Sequence, residues 1–287
     1  MDAVINLNKS KDISSQHAVR KVKKLFAARK AGHAGTLDPI ATGVLLVCLN
    51  EATKITRFLS DLDKEYLTRL KLGERTDTYD LTGRLLEKKD CLFLREEDIQ
   101  EILQNFTGRI KQTPPMYSAI KIKGQPLYKL ARKGVEIKRL ERAVTIHRVG
   151  LMSFTPPYLD LKIRCSKGTY IRSLCNDIGE ALGVGAHMIS LERTKVGNFK
   201  IEDSASIEEL KWKREALHSI DSAISHLDEI ILDEESYYKA KNGIPVILIT
   251  EKLLPNQYLR LKKRPEGNLF GIGRVEGNRI RIERLLN

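Results

Sequence analysis

Gly32-His33-Ala34-Gly35-Thr36-Leu37-Asp38-Pro39-Ile40-Ala41-Thr42-Gly43 places an acid inside a run rich in glycine and threonine, bounded on both sides by patterned sequence. Gly32 and Gly35 open backbone angles closed to other residues and allow a ligand to approach closely. Pro39 disfavours the helical region for the residue before it, so the Asp38 carboxylate rides on extended backbone. Thr36 and Thr42 offer hydroxyls to that carboxylate or to a sugar. Asp-Pro is also a common turn dipeptide, and on the residues alone a turn-former and a reactive acid are evenly matched. His33, taken by itself, reads as a structural histidine.

Upstream, Ser14-Ser15 precedes Ala18, Val19, Val22, Leu25 and Phe26. That is a cap followed by helical spacing, running to about Gly32 with Arg20, Lys21, Lys24 and Arg29 on its polar face. The glycine-rich segment reads as a loop from Gly32 to Gly43, followed by an apolar strand over 44–49. Alternation over 65–72 sets Tyr66, Thr68, Leu70 and Leu72 on one face of a strand. Residues 95–106 read as a helix striped by Ile99, Ile102, Leu103 and Phe106. Two strands are expected at 143–154 and 159–166, and a helix at 170–182. From about 232 the pattern becomes short strands broken by Gly243, Gly267, Gly271, Gly273 and Gly277. The chain therefore divides into a large α+β domain over 1–231 and a small β-rich one over 232–287.

Charge is concentrated. The 287 residues carry a net +13, and 111–148 alone hold ten Lys and Arg against Glu136 and Glu141. A solvated face would intersperse its signs, so this basic insert points to a polyanion. Pro114, Pro115, Gly124, Pro126 and Gly134 suit an ordered loop with one short helix over 127–133, and the insert lacks the bulky apolar face of a membrane-lying helix. No apolar run approaches the roughly 18 residues of a span, and the first residues lack a signal-peptide pattern. Cys48, Cys91, Cys165 and Cys175 have no paired spacing and read as buried thiols of a reducing, cytoplasmic compartment. There is no P-loop, no dinucleotide fingerprint and no metal-ligand spacing, so neither a cofactor nor a metal is expected.

The run 32–43 resembles the catalytic motif of the TruB-type pseudouridine synthases, which act on tRNA. The resemblance continues through Lys64-Glu65-Tyr66, Thr76-Asp77-Thr78-Tyr79-Asp80-Leu81-Thr82-Gly83 and Gln112-Thr113-Pro114-Pro115-Met116-Tyr117-Ser118-Ala119. It resumes in Lys167-Gly168-Thr169-Tyr170-Ile171-Arg172-Ser173-Leu174 and Leu191-Glu192-Arg193-Thr194-Lys195-Val196-Gly197. The glycine-rich tail is similar to the small PUA-like RNA-binding domain of such enzymes. The family's usual Asp-Lys-Pro-x-Gly-x-Thr-Ser opening is here Asn8-Lys9-Ser10-Lys11-Asp12-Ile13-Ser14-Ser15, which keeps Lys9 and Ser15.

The resemblance implies a mixed, mainly antiparallel sheet with flanking helices. It also implies isomerisation of uridine to pseudouridine in RNA, at uridine 55 of the tRNA T-loop, by base flipping. Asp38 then supplies the reactive carboxylate, as nucleophile at the anomeric carbon or as base at the neighbouring sugar carbon. Arg172 would hold Asp38 charged and oriented. Tyr66 would stack on the flipped uracil, Tyr170 and Leu191 would line its pocket, and His33 would fill the gap left in the RNA stack. Lys9, Lys121, Lys123, Lys129, Arg132 and Lys133 are the expected RNA contacts. The partner would be the tRNA T-arm stem-loop, met by a monomer without a guide RNA. Two other readings compete: a non-catalytic RNA-binding or RNA-folding protein on the same scaffold, and the catalytic subunit of a guide-RNA particle.

Overall fold

A computed structural model describes residues 1–118, 120–122, 124–131, 134–135, 137–247 and 254–286, without the side chains of 121, 122, 126 and 128. Its centre is the strand expected from alternation. Lys64–Leu72 buries Lys64, Tyr66, Thr68, Leu70 and Leu72 on one face, because successive side chains of a strand point to opposite sides. Around it lies a ten-stranded sheet. Across it run Leu217–His218, Ala3–Lys9, Thr42–Leu49, Ala186–Val196, Lys64–Leu72, Tyr158–Cys165, Arg142–Thr155 and Gly108–Gln112. Phe199–Lys200 pairs on Ala186–Val196, and Ala31–Ala34 on Thr42–Leu49. Every pairing is antiparallel except one, where Glu192 and Arg193 run parallel to Thr42 and Gly43. The sheet is mixed and mainly antiparallel, as the resemblance implied.

Both faces are covered. Ile5, Leu7, Leu45, Val47, Leu70 and Ile163 point to the side where Val19 and Val22 of the helix Ser15–Leu25 and Leu174 and Ile178 of the helix Ile171–Ala181 pack. The alternate residues Val4, Val44 and Leu46 meet Ile55, Phe58 and Leu59 on the other side. Each such side chain, fully buried, contributes roughly 1.5–3 kcal/mol.

Ser14 caps the first helix as expected, its hydroxyl accepting from the His17 amide at 3.1 Å. The helix stops at Leu25, however, well short of Gly32. Ala27 adopts a φ of +45°, which turns the chain so that Ala31–Ala34 can pair with Thr42–Leu49. The glycine-rich segment is thus a strand at its start, and the loop proper is 35–41.

The tail forms a five-stranded sheet ordered Asp228–Leu232, Tyr258–Lys263, Asn268–Glu276, Arg279–Leu285, Val246–Ile247. Its first strand runs parallel to Tyr258–Lys263 and begins at Asp228, so a division after 231 falls at the end of that strand and would split the sheet. Ile272 and Leu286 join the core that holds Phe58 and Leu59, and Tyr258 packs edge-on to Phe58 with ring centroids 5.1 Å apart. Among the described residues no helix is long and apolar enough to cross a membrane.

Candidate active site

The Asp38 loop is fastened at several backbone points. Ser15 Oγ accepts from the Leu37 amide at 2.8 Å and donates to the Leu37 carbonyl at 2.9 Å. The Asp12 amide donates to the Pro39 carbonyl at 2.8 Å. Lys9, expected on the RNA surface, is fully buried instead. Its ammonium donates to the carbonyls of Ser10 and Ile13 at 2.8 Å and of Pro39 at 3.3 Å, so it braces the loop from beneath. Burial lowers its pKa to about 8, with the Asp38 charge acting in the opposite direction. A cation wrapped in three carbonyls has no donor left for phosphate.

Two glycines in the run have a structural reason. Gly35 and Gly43 sit at φ +91° and +97°, a region that favours glycine. A Cβ on Gly43 would also lie 2.3 Å from the Arg193 carbonyl oxygen across the parallel pair. Gly32, in contrast, is an ordinary strand residue with open space around it.

Asp38 meets Arg172 in a two-pronged fork. Nε lies 2.9 Å from Oδ2, and Nη2 donates to Oδ1 at 3.1 Å. The Asp38 side chain is 32% accessible while that of Arg172 is only 5%, so the acid is open to the outside and the guanidinium backs it from within. Arg172 follows Tyr170, the N-cap of the helix Ile171–Ala181. Its remaining donors reach the carbonyls of Thr78 at 3.2 Å and Tyr117 at 2.7 Å, and Asp80 Oδ2 at 3.3 Å. Desolvation pushes the Asp38 carboxyl above its ordinary value, and the Arg172 charge opposes that rise.

Asp80 is a residue that sequence reasoning left without a role. It is buried, and its other oxygen accepts from Thr78 Oγ1 at 2.7 Å, Thr82 Oγ1 at 2.6 Å and the Thr82 amide at 2.9 Å. Arg172 therefore bridges two carboxylates, one sealed and one open. The density of threonines around Asp80 was the signal, since hydroxyls are what a buried carboxylate needs.

Tyr66 and Leu191, each 7% exposed, belong to the same apolar cluster as Leu37 and Ile40 of the loop. Burial pushes the Tyr66 phenol up, and the neighbouring Arg193 guanidinium works the other way. The Gln112 side-chain amide grips the Tyr170 backbone twice, at 2.7 and 2.9 Å, and burial pushes the Tyr170 phenol up as well. His33 lies just before the loop, half-buried, and its Nδ1 has no hydrogen-bond partner among the described residues. Burial lowers its pKa, and the Arg193 charge adds to that, which favours the neutral ring.

The basic insert is rooted on the same helix start. Besides the Gln112 grip, Ser173 Oγ donates to the Thr113 carbonyl at 3.1 Å, and Tyr117 receives Arg172. Lys121 lies on the two-residue strand Lys121–Ile122, and Lys129 is exposed on the short helix Leu127–Ala131. Lys123, Arg132 and Lys133 lie outside the described residues.

A half-open carboxylate clamped by a buried guanidinium, with phenols, aliphatic side chains and the root of a basic insert nearby, is a site suited to chemistry on one unit of a polyanion. Residues 23–171 match the TruB family pseudouridylate synthase N-terminal domain, and 172–238 match the tRNA pseudouridylate synthase B C-terminal domain. The chain belongs to the TruB family of pseudouridylate synthases. It is 44% identical to the tRNA pseudouridine synthase B of Clostridium tetani, with 100% of both chains covered. It is 42% identical to that of Haemophilus influenzae, covering 100% of this chain and 95% of the relative. A chain from the crystal structure of a Cbf5-Nop10-Gar1 complex superposes with a TM-score of 0.77 at 25% identity, over 99% of this chain and 84% of the other.

Proposed function

We propose that this chain isomerises uridine to pseudouridine in tRNA, at uridine 55 of the T-loop, with Asp38 as the reacting carboxylate. The observation that carries this reading is the Asp38–Arg172 fork, with Nε 2.9 Å from Oδ2, on a loop whose Leu37 and Ile40 share an apolar cluster with Tyr66. The full-length identity to curated tRNA pseudouridine synthases supports the substrate.

The reaction breaks the bond between uracil N1 and ribose C1′, turns the base and joins C5 to C1′; the proton lost from C5 is balanced by one gained at N1. It is redox-neutral. Asp38 acts on the sugar, at C1′ as nucleophile or at C2′ as base, and both routes require it ionised. Arg172 keeps it ionised and aimed. Tyr66, with Leu191 and Tyr170, offers the surface that receives a uracil taken out of the RNA stack. His33, whose neutral ring burial favours, is suited to stack where that base has left. Flipping costs a few kcal/mol, and these two stacking contacts offset part of it.

Two domains divide the work in this reading: a catalytic one carrying Asp38, and a small RNA-binding one that takes in the whole tail sheet from Asp228. The protein works as a monomer in the cytoplasm and without a guide RNA; the free, buried thiols of Cys48, Cys91, Cys165 and Cys175 suit that compartment.

The test is a T-arm stem-loop tritiated at uracil C5, supplied with no guide RNA. Tritium release is expected from the parent protein. Binding without release identifies a non-catalytic RNA-binding protein, and release only when a guide is added identifies a particle subunit.

A further inference from the structure

Arg193 is a fully buried guanidinium with no carboxylate partner among the described residues, and it lies within the proposed catalytic centre. Its Nε donates to the Val44 carbonyl at 2.7 Å and its Nη2 to the Gly35 carbonyl at 3.0 Å. Those two carbonyls flank Asp38, one at the start of its loop and one in the strand that follows it. Its backbone is pressed against Gly43, where a Cβ would come within 2.3 Å of its carbonyl oxygen. On its other side Arg193 pairs directly with Tyr66 across the antiparallel strands Ala186–Val196 and Lys64–Leu72. A single residue therefore grips the chain before and after the reactive loop through its side chain, and meets Tyr66 both in strand register and by a side-chain hydrogen bond.

We propose that Arg193 is a positioning residue, a clasp that sets the Asp38 carboxylate and the Tyr66 ring at a fixed separation. A buried cation costs several kcal/mol in desolvation, and without a counterion it persists only where something in the site uses it. Here two of its donors hold loop carbonyls and its side chain also hydrogen-bonds Tyr66, so one group ties the loop to the ring. The guanidinium plane is what allows one group to reach two carbonyls that lie nine residues apart in sequence. Lysine, with a compact ammonium in place of the planar fork, does not reproduce the geometry of both bonds. Arg193 also acts on Tyr66 directly: burial pushes the phenol up, and the charge of Arg193 and its side-chain hydrogen bond oppose that rise.

This inference rests on the proposed activity, and the experiment separates the two. Arg193→Lys and Arg193→Met are compared with the parent for tritium release in a single turnover at saturating hairpin, for hairpin affinity, and for thermal melting. A displaced loop of about 1 Å typically costs on the order of 100-fold in rate. The expected result is a loss of that order for Arg193→Met, a partial recovery in Arg193→Lys, and hairpin affinity equal to that of the parent in both. A coupling readout completes the test. In a Tyr66→Phe background the rate lost on Arg193→Lys should be smaller than in the parent, because the two residues act as a unit. Parental rates in a folded Arg193→Lys, losses confined to affinity, or losses that simply multiply with those of Tyr66→Phe overturn the clasp. If Arg193→Met does not fold, Arg193→Lys alone decides by the same criteria. If the parent releases no tritium at all, it is the proposed activity that has failed.

Discussion

At the scale of single residues, the Asp38–Arg172 pair yields the sharpest expectations. Asp38→Asn keeps the shape and loses the charge, so single-turnover release should vanish while hairpin affinity persists; residual turnover by an uncontaminated variant would remove Asp38 from its role. The pH dependence has a definite sign. The proposed mechanism needs the ionised acid, so it predicts a rate that falls as pH drops through the Asp38 pKa. Because burial raises that pKa, the acid limb lies above the ordinary carboxylate value of 3.8. Arg172 opposes the rise, so Arg172→Met should move the limb further up, and a rate–pH profile with an unmoved limb contradicts the pairing. Tyr66→Phe retains the stacking face and tests the hydroxyl, whereas Tyr66→Leu removes both; a normal leucine variant would place Tyr66 outside the site. The sequence made Asp38, Arg172 and Tyr66 legible because loop chemistry, the Tyr-Ile-Arg run and alternation are all local signals. Lys9 and Arg193 were not legible in this way, because a cation's burial is settled by carbonyls distant in the chain. Pro39 lies thirty positions from Lys9, and Val44 lies far from Arg193.

At the scale of elements, the sequence made the strands legible by face and left their neighbours undetermined. Lys64–Leu72 and the helix Ile171–Ala181 follow from period alone. Ala31–Ala34 does not, because four residues carry no period and glycine weakens strand propensity. Nor does the parallel contact of Glu192 and Arg193 with Thr42 and Gly43, which depends on crossing order. That contact predicts that Gly43→Val, adding bulk at φ +97° where a Cβ already meets the Arg193 backbone at 2.3 Å, will destabilise the fold and lower the rate. Gly32→Ala, with open space around it, should be near neutral in melting, and equal melting of both variants would refute the distinction. The basic insert is an element of a different kind, legible by charge. Replacing Lys129, Arg132 and Lys133 with glutamine should weaken hairpin binding and flatten its salt dependence by roughly two to three units of slope. Parallel salt titrations of equal height would make the insert a merely solvated face.

For the molecule as a whole, the question is what the tail sheet does for a reaction centred on Asp38, since each expected pocket residue lies ahead of Asp228. The sheet is docked by more than a linker. Arg57 pairs with Glu283 at 2.9 Å, Lys54 Nζ donates to the Leu285 carbonyl at 2.9 Å, and Phe58 packs against Tyr258. A second group of charges joins Arg260 and Lys262 to Asp221 and Glu229 at 2.7–3.0 Å. Asp221 lies on the short helix Ile220–Ala223, ahead of the tail sheet, so this network also links the two parts. Removing the chain from Asp228 onward should therefore have two separable effects. The melting temperature should fall, because Phe58 and its neighbours lose the cover of Tyr258, Ile272 and Leu286. Affinity for tRNA should fall as well, because the tail carries its own basic residues and, in the proposed division, an RNA surface. The single-turnover rate at saturating hairpin should survive wherever the truncated protein remains folded, because Asp38, Arg172, Tyr66 and Arg193 keep all their partners. Melting, hairpin affinity and tritium release, measured on the same truncated preparation, separate these effects. A folded truncation that binds tRNA as tightly as the full chain would show that the tail sheet serves stability alone.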